Sequence, residues 1–409
     1  MNSRKQRKIM SFIGNVVLFL SFFFLPICFA FQSDRSHEDT LFLESRPPEY
    51  RQYYEKYLKQ GEHDAVLNLM EIGIKALKDK NLVEAAYAFD NALKRIEFVF
   101  SDSEAAQKAR SLWYSEEEKD FKGEPYERVM AYYYRGLIYL MNGDYENARA
   151  TFQSGILQDA FAEEQQYRAD FSSLILLVGR AASKMGVDHL REDAYQELAK
   201  VNPEVAIPKK NHNVIFIAEP GKSPRKLRDG VGHFDLVFRR GKKFKDQSAK
   251  VVLNKTEIPL RLADDVFMQA STRGGRAVDR IIKGKVFFKE GSEATGEVLT
   301  TVGKTIVGLS AVDSASMNSG AQIGAVLTLV GVGAKIFARN VNAKADKRYW
   351  KSLPNTILMS TAYVENLDDL KNIAVLYLDK YDNELSSFDS VTIVKINDNN
   401  AIVWSKSNE

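Results

Sequence analysis

The sequence predicts an α+β protein in which a helical N-terminal part precedes a strand-rich C-terminal part. Over residues 67–98, apolar residues recur mostly at steps of three and four, the period of one helix face. The pattern changes after Pro203, where the run NVIFIA at 213–218 has the composition of a buried strand. Further strand-like runs, separated by Asn/Asp-rich turns, lie at 374–378, 391–396 and 401–404.

A spacing pattern of small and aromatic residues recurs in the helical part. Its two clear copies are Gly73, Ala85, Phe89 and Gly136, Ala148, Phe152. A weaker third copy has Gly179 and Tyr195, with Arg191 where alanine is expected. These are spacings of the tetratricopeptide repeat, in which small residues let two helices approach and an aromatic ring fills the space beside them. Gly143 and Asp144 lie where the second helix pair must turn.

These patterns divide the chain into successive segments. They are a signal peptide at 1–30, a polar lead-in at 31–48, a tetratricopeptide-like helical domain at 49–205 and an α+β domain at 211–409. The last domain is expected to be a small β-sandwich-like unit interrupted by a helical insertion at about 271–347. Two Gly/Ala-rich apolar segments within the insertion, about 297–312 and 321–338, are expected to form a helical hairpin.

The first thirty residues resemble a secretory signal. A basic start precedes an apolar run from 9 to 30, and Ala30 is a small residue suited to cleavage before Phe31. Cys28, the only cysteine, lies in a poor lipobox because the preceding residue, Ile27, is not small. Cleavage after Ala30, retention as an N-terminal membrane anchor and lipidation at Cys28 all stay open. Each outcome predicts export to the periplasm or an envelope-associated location in a Gram-negative bacterium.

Charge and residue types argue against several kinds of site. The chain carries a net charge of +3, and loss of the four cations of the signal leaves −1. Because nucleic-acid binding usually needs a basic face, no nucleic-acid partner is predicted. The five histidines are scattered, and cleavage after Ala30 removes the only cysteine. The sequence therefore predicts no metal site and no cofactor.

The first helix of the second pair suggests a function. Arg128, Tyr132, Tyr133 and Arg135 are predicted to bind a protein, because tyrosine and arginine are common interface anchors. The sequence thus predicts a non-enzymatic scaffold or adaptor that holds another envelope protein. A first alternative is a membrane-associated protein acting through the apolar segment 296–340, which is otherwise a buried hairpin. A second is an envelope-polymer hydrolase, which would need a carboxylate of shifted pKa in a polar cleft.

Four short motifs, at 121–128, 143–149, 219–226 and 345–354, resemble a family of exported bacterial proteins with tetratricopeptide-like helices. Members of that family are often described as lipoproteins. The last motif, ADKRYWKSLP, is the most specific and contains Asp346, Arg348, Trp350 and Pro354. The resemblance implies export and an envelope location but supplies no activity. Trp350 and Pro354 are interpreted as a clamp between the insertion and the next strand, and Asp346 and Arg348 either pair or bind a ligand.

Overall fold

The computed structural model describes six stretches of the chain: 37–98, 120–159, 171–229, 235–271, 346–385 and 391–407. The predicted signal at 1–30, with Cys28, lies outside the described residues, and so does the apolar segment 296–340. The predictions about cleavage, lipidation and membrane contact therefore stay predictions. The chain divides into two compact units, residues 1–61 and 62–409.

The described part of the first unit is helical. Residues 37–44 form a helix, and a short 3₁₀ turn, Pro48–Tyr50, leads into α1, Arg51–Gln60. The rings of Phe42 and Tyr54 meet edge to face with centroids 5.4 Å apart, a favourable geometry for aromatic pairs. Arg46 lies over the ring of Phe42 at 5.4 Å. These aromatic contacts hold the two helical segments together.

The second unit begins with helices that pack in successive pairs. They are α2 (Ala65–Lys78), α3 (Leu82–Phe98), α4 (Pro125–Met141), α5 (Tyr145–Asp159), α6 (Ser172–Lys184) and α7 (Asp188–Val201). Helices α2 and α3, α4 and α5, and α6 and α7 form the pairs, and α3 contacts α4 as α5 contacts α6. Between α4 and α5, Gly143 turns the chain with φ +75°, and Asp144 accepts a hydrogen bond from the Asn147 amide at 3.2 Å.

One contact recurs in each of these pairs. A Cβ atom built on Gly136 would lie 2.4 Å from the ring of Phe152, on the second helix of the pair. The equivalent distances are 2.7 Å from Gly73 to Phe89 and 2.3 Å from Gly179 to Tyr195. The alanines of the sequence pattern, Ala85 and Ala148, are fully buried. The small residue on the first helix is therefore required by the aromatic ring on the second.

The strands follow the helices and form three sheets in the described residues. They are β1 (Val214–Glu219), β2 (Arg225–Asp229), β3 (Asp235–Arg239), β4 (Ser248–Leu253), β5 (Thr256–Pro259), β6 (Arg261–Asp265), β7 (Thr356–Ala362), β8 (Ile373–Leu378), β9 (Val391–Asn397) and β10 (Asn400–Lys406). The five-stranded sheet has the order β6-β7-β1-β10-β9, the three-stranded sheet the order β5-β4-β8, and β2 pairs with β3. A short helix, α8 (Val266–Ser271), follows β6.

Strand β1 is buried on both faces. Its even-numbered residues and alternate residues of β4 belong to one apolar cluster, so the five-stranded and three-stranded sheets share a core. Its odd-numbered residues point to the other face, where β10 runs parallel to β1 and places Trp404 beside Ile217 and Lys406 beside Glu219. That second face receives the helices.

The α+β class is confirmed by these helices and sheets. The finer predictions, a tetratricopeptide-like domain and a β-sandwich-like domain, stay predictions. The domain boundaries also stay predictions, but the helices over 65–201 and the sheets belong to a single compact unit, 62–409. The polar residues that join the helices to the sheets form the candidate functional site.

Candidate functional site

A buried carboxylate at the end of β1 binds side chains from a helix and from a neighbouring strand. Glu219 Oε1 accepts hydrogen bonds from Tyr133 Oη at 3.0 Å and Trp404 Nε1 at 2.8 Å. Glu219 Oε2 accepts from Tyr134 Oη at 2.6 Å and Lys406 Nζ at 3.3 Å. We call these five residues the Glu219 cluster. Both tyrosines come from α4, so one carboxylate fixes the helix against β1 and β10.

The electrostatics of the Glu219 cluster keep its tyrosines as hydrogen-bond donors. Burial, and then the charge of Glu219, raises the pKa of Tyr133 and of Tyr134 well above the ordinary value. Burial lowers the pKa of Lys406, while Glu219 acts in the opposite direction. Burying either the Glu219 carboxylate or the Lys406 ammonium alone would cost several kcal/mol of folding free energy. Each charge is therefore tolerated in the interior because the other is beside it.

A second buried cluster lies at the start of α4. Glu127 Oε2 accepts a hydrogen bond from the Glu124 amide at 2.7 Å, and Glu127 Oε1 accepts from the Trp350 amide at 2.6 Å. Glu124 forms an ion pair with Lys226 of β2, with Oε1 and Nζ 2.6 Å apart. Burial raises the pKa of Glu127 to about 7, against the opposing effect of the Lys226 charge. We call these four residues the Glu127 cluster.

The ADKRYWKSLP motif is bound to the start of α2. Asp346 and Arg348 pair with each other, with Oδ2 and Nη2 2.9 Å apart. Arg348 Nη1 also donates to Asp64 Oδ1 at 2.9 Å and to the His63 carbonyl at 2.8 Å. Of the two sequence-based alternatives for Asp346 and Arg348, the described contacts are therefore those of a pair. Pro354 is buried.

Trp350 packs on the helices. Its ring lies 6.1 Å from that of Phe89 on α3 and 5.7 Å from that of Tyr134 on α4, between centroids. The next amide, of Lys351, donates to Glu71 of α2 at 3.1 Å. The predicted clamp of Trp350 onto the insertion is untested, because the insertion lies outside the described residues. Within them, the motif joins α2 and α4 to the C-terminal half.

Helix α6 makes a third set of contacts with the sheet. Asp264 of β6 accepts from the amides of Ser172 and Ser173 at 2.9 and 3.0 Å. The first amides of a helix have no partner within the helix, so this carboxylate supplies one and complements the helix dipole. At the other end of α6, Arg180 donates to the carbonyl oxygens of residues 212 and 213 at 2.6 and 2.8 Å.

The first helix of each pair therefore binds the C-terminal half of the chain. We call these contacts the interlock. On the helices, its residues are Glu71, Glu124, Glu127, Tyr133, Tyr134, Ser172, Ser173 and Arg180. Of the four residues at which the sequence led us to expect a partner, Tyr133 is therefore covered by the protein's own strands.

The four predicted protein-binding residues do not form one surface. Tyr133 is fully buried in the Glu219 cluster, so a partner cannot contact its side chain in this structure. Arg128, Tyr132 and Arg135 lie on a different face of α4 from Tyr133. Tyr139 continues this face, and Arg135 Cζ lies 3.6 Å from the centroid of the Tyr139 ring. The steps of four, three and four residues place these side chains on one helix face. We call Arg128, Tyr132, Arg135 and Tyr139 the α4 stripe.

The α4 stripe is bordered by acidic side chains of α3. Tyr132 Oη donates to Glu97 Oε1 at 2.7 Å, and Arg135 Nε donates to Asp90 Oδ1 at 2.6 Å. Glu97 is exposed, and 42% of the Asp90 side chain is accessible, whereas Tyr132 and Arg135 are buried. Arg128 and Tyr139 are half-buried, so the most accessible part of this region is its acidic border.

Sequence reasoning missed Glu219, Glu124 and Lys226 as members of buried clusters. Glu219 and Lys226 were noted only as parts of a family motif. The sequence offered one weak signal: Glu219 directly follows the wholly apolar run VIFIA, and a charge that is buried there needs a partner.

No family model matches the chain, and neither a curated protein nor a solved structure resembles it at a significant level. Within the described ranges, no group of three His, Cys, Asp or Glu side chains is placed to hold a metal ion. Of the helices the structure describes, none combines the length and the apolar character needed to cross a membrane.

Proposed function

We propose that the protein is a non-enzymatic scaffold or adaptor of the cell envelope that binds another protein through its helical part. The contact that recurs in the helix pairs, glycine against an aromatic ring, supports a tetratricopeptide-like array. Such arrays bind extended peptides or helices on the surface built by successive repeats. The predicted signal and the family resemblance support an exported, envelope-associated location.

The interlock is the observation that carries this proposal. It fixes α4 and α6 to the five-stranded sheet through the buried carboxylates of Glu219 and Asp264, and it joins α2 to the ADKRYWKSLP motif through Glu71. The helices and the sheet therefore form a platform that holds the outer surface of the helices rigidly. A rigid surface loses little conformational entropy when it binds a partner. The proposed contact is therefore the α4 stripe at its accessible border, Asp90 and Glu97, and no longer includes Tyr133.

The hydrogen bonds of Glu127 favour a scaffold over the hydrolase alternative. A hydrolase would use a carboxylate with a raised pKa, and Glu127 has one. Glu127 is fully buried, however, and its two oxygens accept the amides of Glu124 and Trp350. A general acid must reach a substrate atom, and in this arrangement the carboxylate holds α4 to the motif instead.

A membrane-associated function is the second candidate. The sequence observation that favours it is the apolar segment 296–340, with small residues at four-residue spacing at Gly320 and Gly324. Under this alternative, resistance to alkaline extraction from membranes would be lost when the segment is deleted. The scaffold proposal does not require membrane retention to depend on this segment, so the extraction experiment distinguishes the two proposals.

In-cell photocrosslinking tests the scaffold proposal. A photoreactive residue at Glu97 is expected to capture one dominant envelope protein, identified by mass spectrometry. The reversal Asp90→Arg should reduce that product, because it removes the acidic border and the partner of Arg135. A matched reversal at an exposed site elsewhere, Glu365→Arg, should leave it unchanged. Self-crosslinks or lipid adducts alone from Glu97 would overturn the proposal.

A further inference from the structure

The last turns of α6 carry two cations that have no acidic partner. Arg180 is 4% exposed, and its Nη1 and Nη2 atoms donate to the main-chain carbonyls of residues 212 and 213. Those carbonyls accept hydrogen bonds but carry no net charge. Lys184 follows one turn later on the same helix face and is half-buried. Within the described part of the chain, neither cation forms an ion pair with a carboxylate.

The electrostatics of this place agree with its geometry. Burial, and then the charge of Arg180, lowers the pKa of Lys184 to about 8. Burial also lowers the pKa of Arg180, and the groups that act in the opposite direction are two tyrosine side chains. The acids that are near in sequence have other contacts, since Asp144 lies at the start of α5 and Asp188 forms an ion pair with Arg191. The two positive charges are therefore not balanced by a described carboxylate.

Helix α5, which packs against α6, adds two hydrogen-bond donors. Burial raises the pKa of Tyr145, and the nearby charge of Arg180 acts in the opposite direction. Tyr145 Oη and, one turn later, Arg149 Nε are buried atoms with no hydrogen-bond partner among the described residues. Arg149 Nη1 donates to Gln153 Oε1 at 3.0 Å, which is an uncharged acceptor. Buried donors normally have an acceptor, so these two call for an explanation.

Two simpler explanations each cover only part of these observations. A cation in the last turn of a helix complements the helix dipole, which accounts for Lys184 by itself. The dipole gives no acceptor to the donors of α5. A buried water molecule would accept from those donors but would leave the charges unbalanced. An anion supplies both the acceptors and the negative charge.

We propose that Tyr145, Arg149, Arg180 and Lys184 bind a phosphate group. We call these four residues the α5–α6 anion site. A phosphate monoester carries about two negative charges, so it balances three cations better than a carboxylate does. Guanidinium groups also match the geometry of phosphate oxygens.

Three of the four residues give the α5–α6 anion site access to solvent, because Tyr145, Arg149 and Lys184 are only half-buried. The atoms Tyr145 Oη and Arg149 Nε are themselves buried, so we expect these two side chains to change rotamer when the phosphate group binds. The site shares no residue with the α4 stripe. The failure of either proposal therefore leaves the other standing.

Calorimetric titration of the full chain tests this proposal. The probes are inorganic phosphate and glycerol 3-phosphate, each added at constant ionic strength, and we expect saturable binding of at least one. The probe that binds more tightly identifies the group as free or esterified phosphate. Lys184→Gln should weaken binding about 10- to 100-fold, because it removes a charged hydrogen-bond donor.

Tyr145→Phe separates binding from stability. It should weaken binding roughly 3- to 10-fold, because one donor to the phosphate group is lost. The melting temperature without either probe should not fall, since the hydroxyl that is removed has no partner among the described residues. A hydroxyl needed only for folding would give the opposite pair of results.

A matched variant controls for the change in net charge. Lys94→Gln removes an exposed lysine from α3, and binding should stay within about twofold of that of the unaltered chain. Saturable binding that Lys184→Gln weakens and Lys94→Gln does not would support the α5–α6 anion site. No saturable binding of either probe, or equal affinities for the two lysine variants, would overturn it.

Discussion

Replacing Glu219 by glutamine tests the cluster that holds α4 to the sheet. The change keeps the shape of the side chain but removes its charge and puts an amide NH₂ where one oxygen stood. Lys406, which is buried, then has no counter-charge at Glu219, and two donors face the new NH₂ group. Breaking a buried ion pair in this way costs about 3–5 kcal/mol. We therefore expect the free energy of unfolding to fall by about 4 kcal/mol.

Urea unfolding followed by tryptophan fluorescence measures this loss, since Trp404 donates to the same carboxylate. The double variant Glu219→Gln, Lys406→Met separates charge from shape. If the ion pair is the main term, the double variant should lose about 2 kcal/mol less than the sum of the single variants. A Glu219→Gln protein within about 1 kcal/mol of the unaltered chain would refute the reasoning, because such a small loss is typical of an exposed pair.

Two further predictions concern α4. Gly136→Ala should destabilise the protein by about 1–3 kcal/mol, because the new methyl group would overlap the ring of Phe152. In a helix without such a neighbour, replacing glycine by alanine usually increases stability by about 1 kcal/mol. Calorimetry should show that adding Phe152→Leu restores part of the melting temperature lost in Gly136→Ala. An unchanged melting temperature for Gly136→Ala alone would contradict a close contact between Gly136 and Phe152. Glu127 has a pKa of about 7 in the folded state against an ordinary 4.5, so its stabilising effect is complete below 4.5 and lost as pH rises through 7. The stability of the unaltered chain relative to Glu127→Gln should fall by about 3 kcal/mol from pH 4.5 to 8, and a flat difference would argue against a buried carboxyl.

Local patterns were sufficient to predict the helix pairs and the first strand. The steps between Gly136, Ala148 and Phe152 depend only on helix geometry. Gly136 and Phe152 make the expected contact, and Ala148 is buried. The strand predicted at 213–218 is observed as Val214–Glu219. Both signals come from residues close in the sequence, which is why periodicity detects them.

The position of Tyr133 could not be predicted in the same way. Its hydroxyl binds a carboxylate 86 residues further along the chain, and spacing within α4 carries no information about that strand. One local signal did point to burial. The sequence of α4, PYERVMAYYYRGLIYLM, is apolar around most of its circumference, which is typical of a helix covered on several sides. Tyrosines on such a helix are more often buried within the protein than exposed to a binding partner.

Glu127 and Asp264 illustrate the same limit for charged residues. Each accepts backbone amides from a distant segment, Trp350 for Glu127 and the start of α6 for Asp264. Charged residues in a sequence are normally expected at the surface, because burying a charge without a partner is costly. The sequence shows the charge but not the amides that stabilise it.

Hydrogen–deuterium exchange at single-residue level tests the interlock most directly. The amides of Ser172 and Ser173 begin α6, and that of Trp350 lies outside any helix or strand, so none has a partner within regular secondary structure. Their protection must come from Asp264 and Glu127. We predict that these three amides exchange as slowly as those of β1, and that Asp264→Asn speeds exchange at the two serines. Fast exchange at all three amides while β1 stays protected would contradict the account, because the helices would then not be fixed to the sheet.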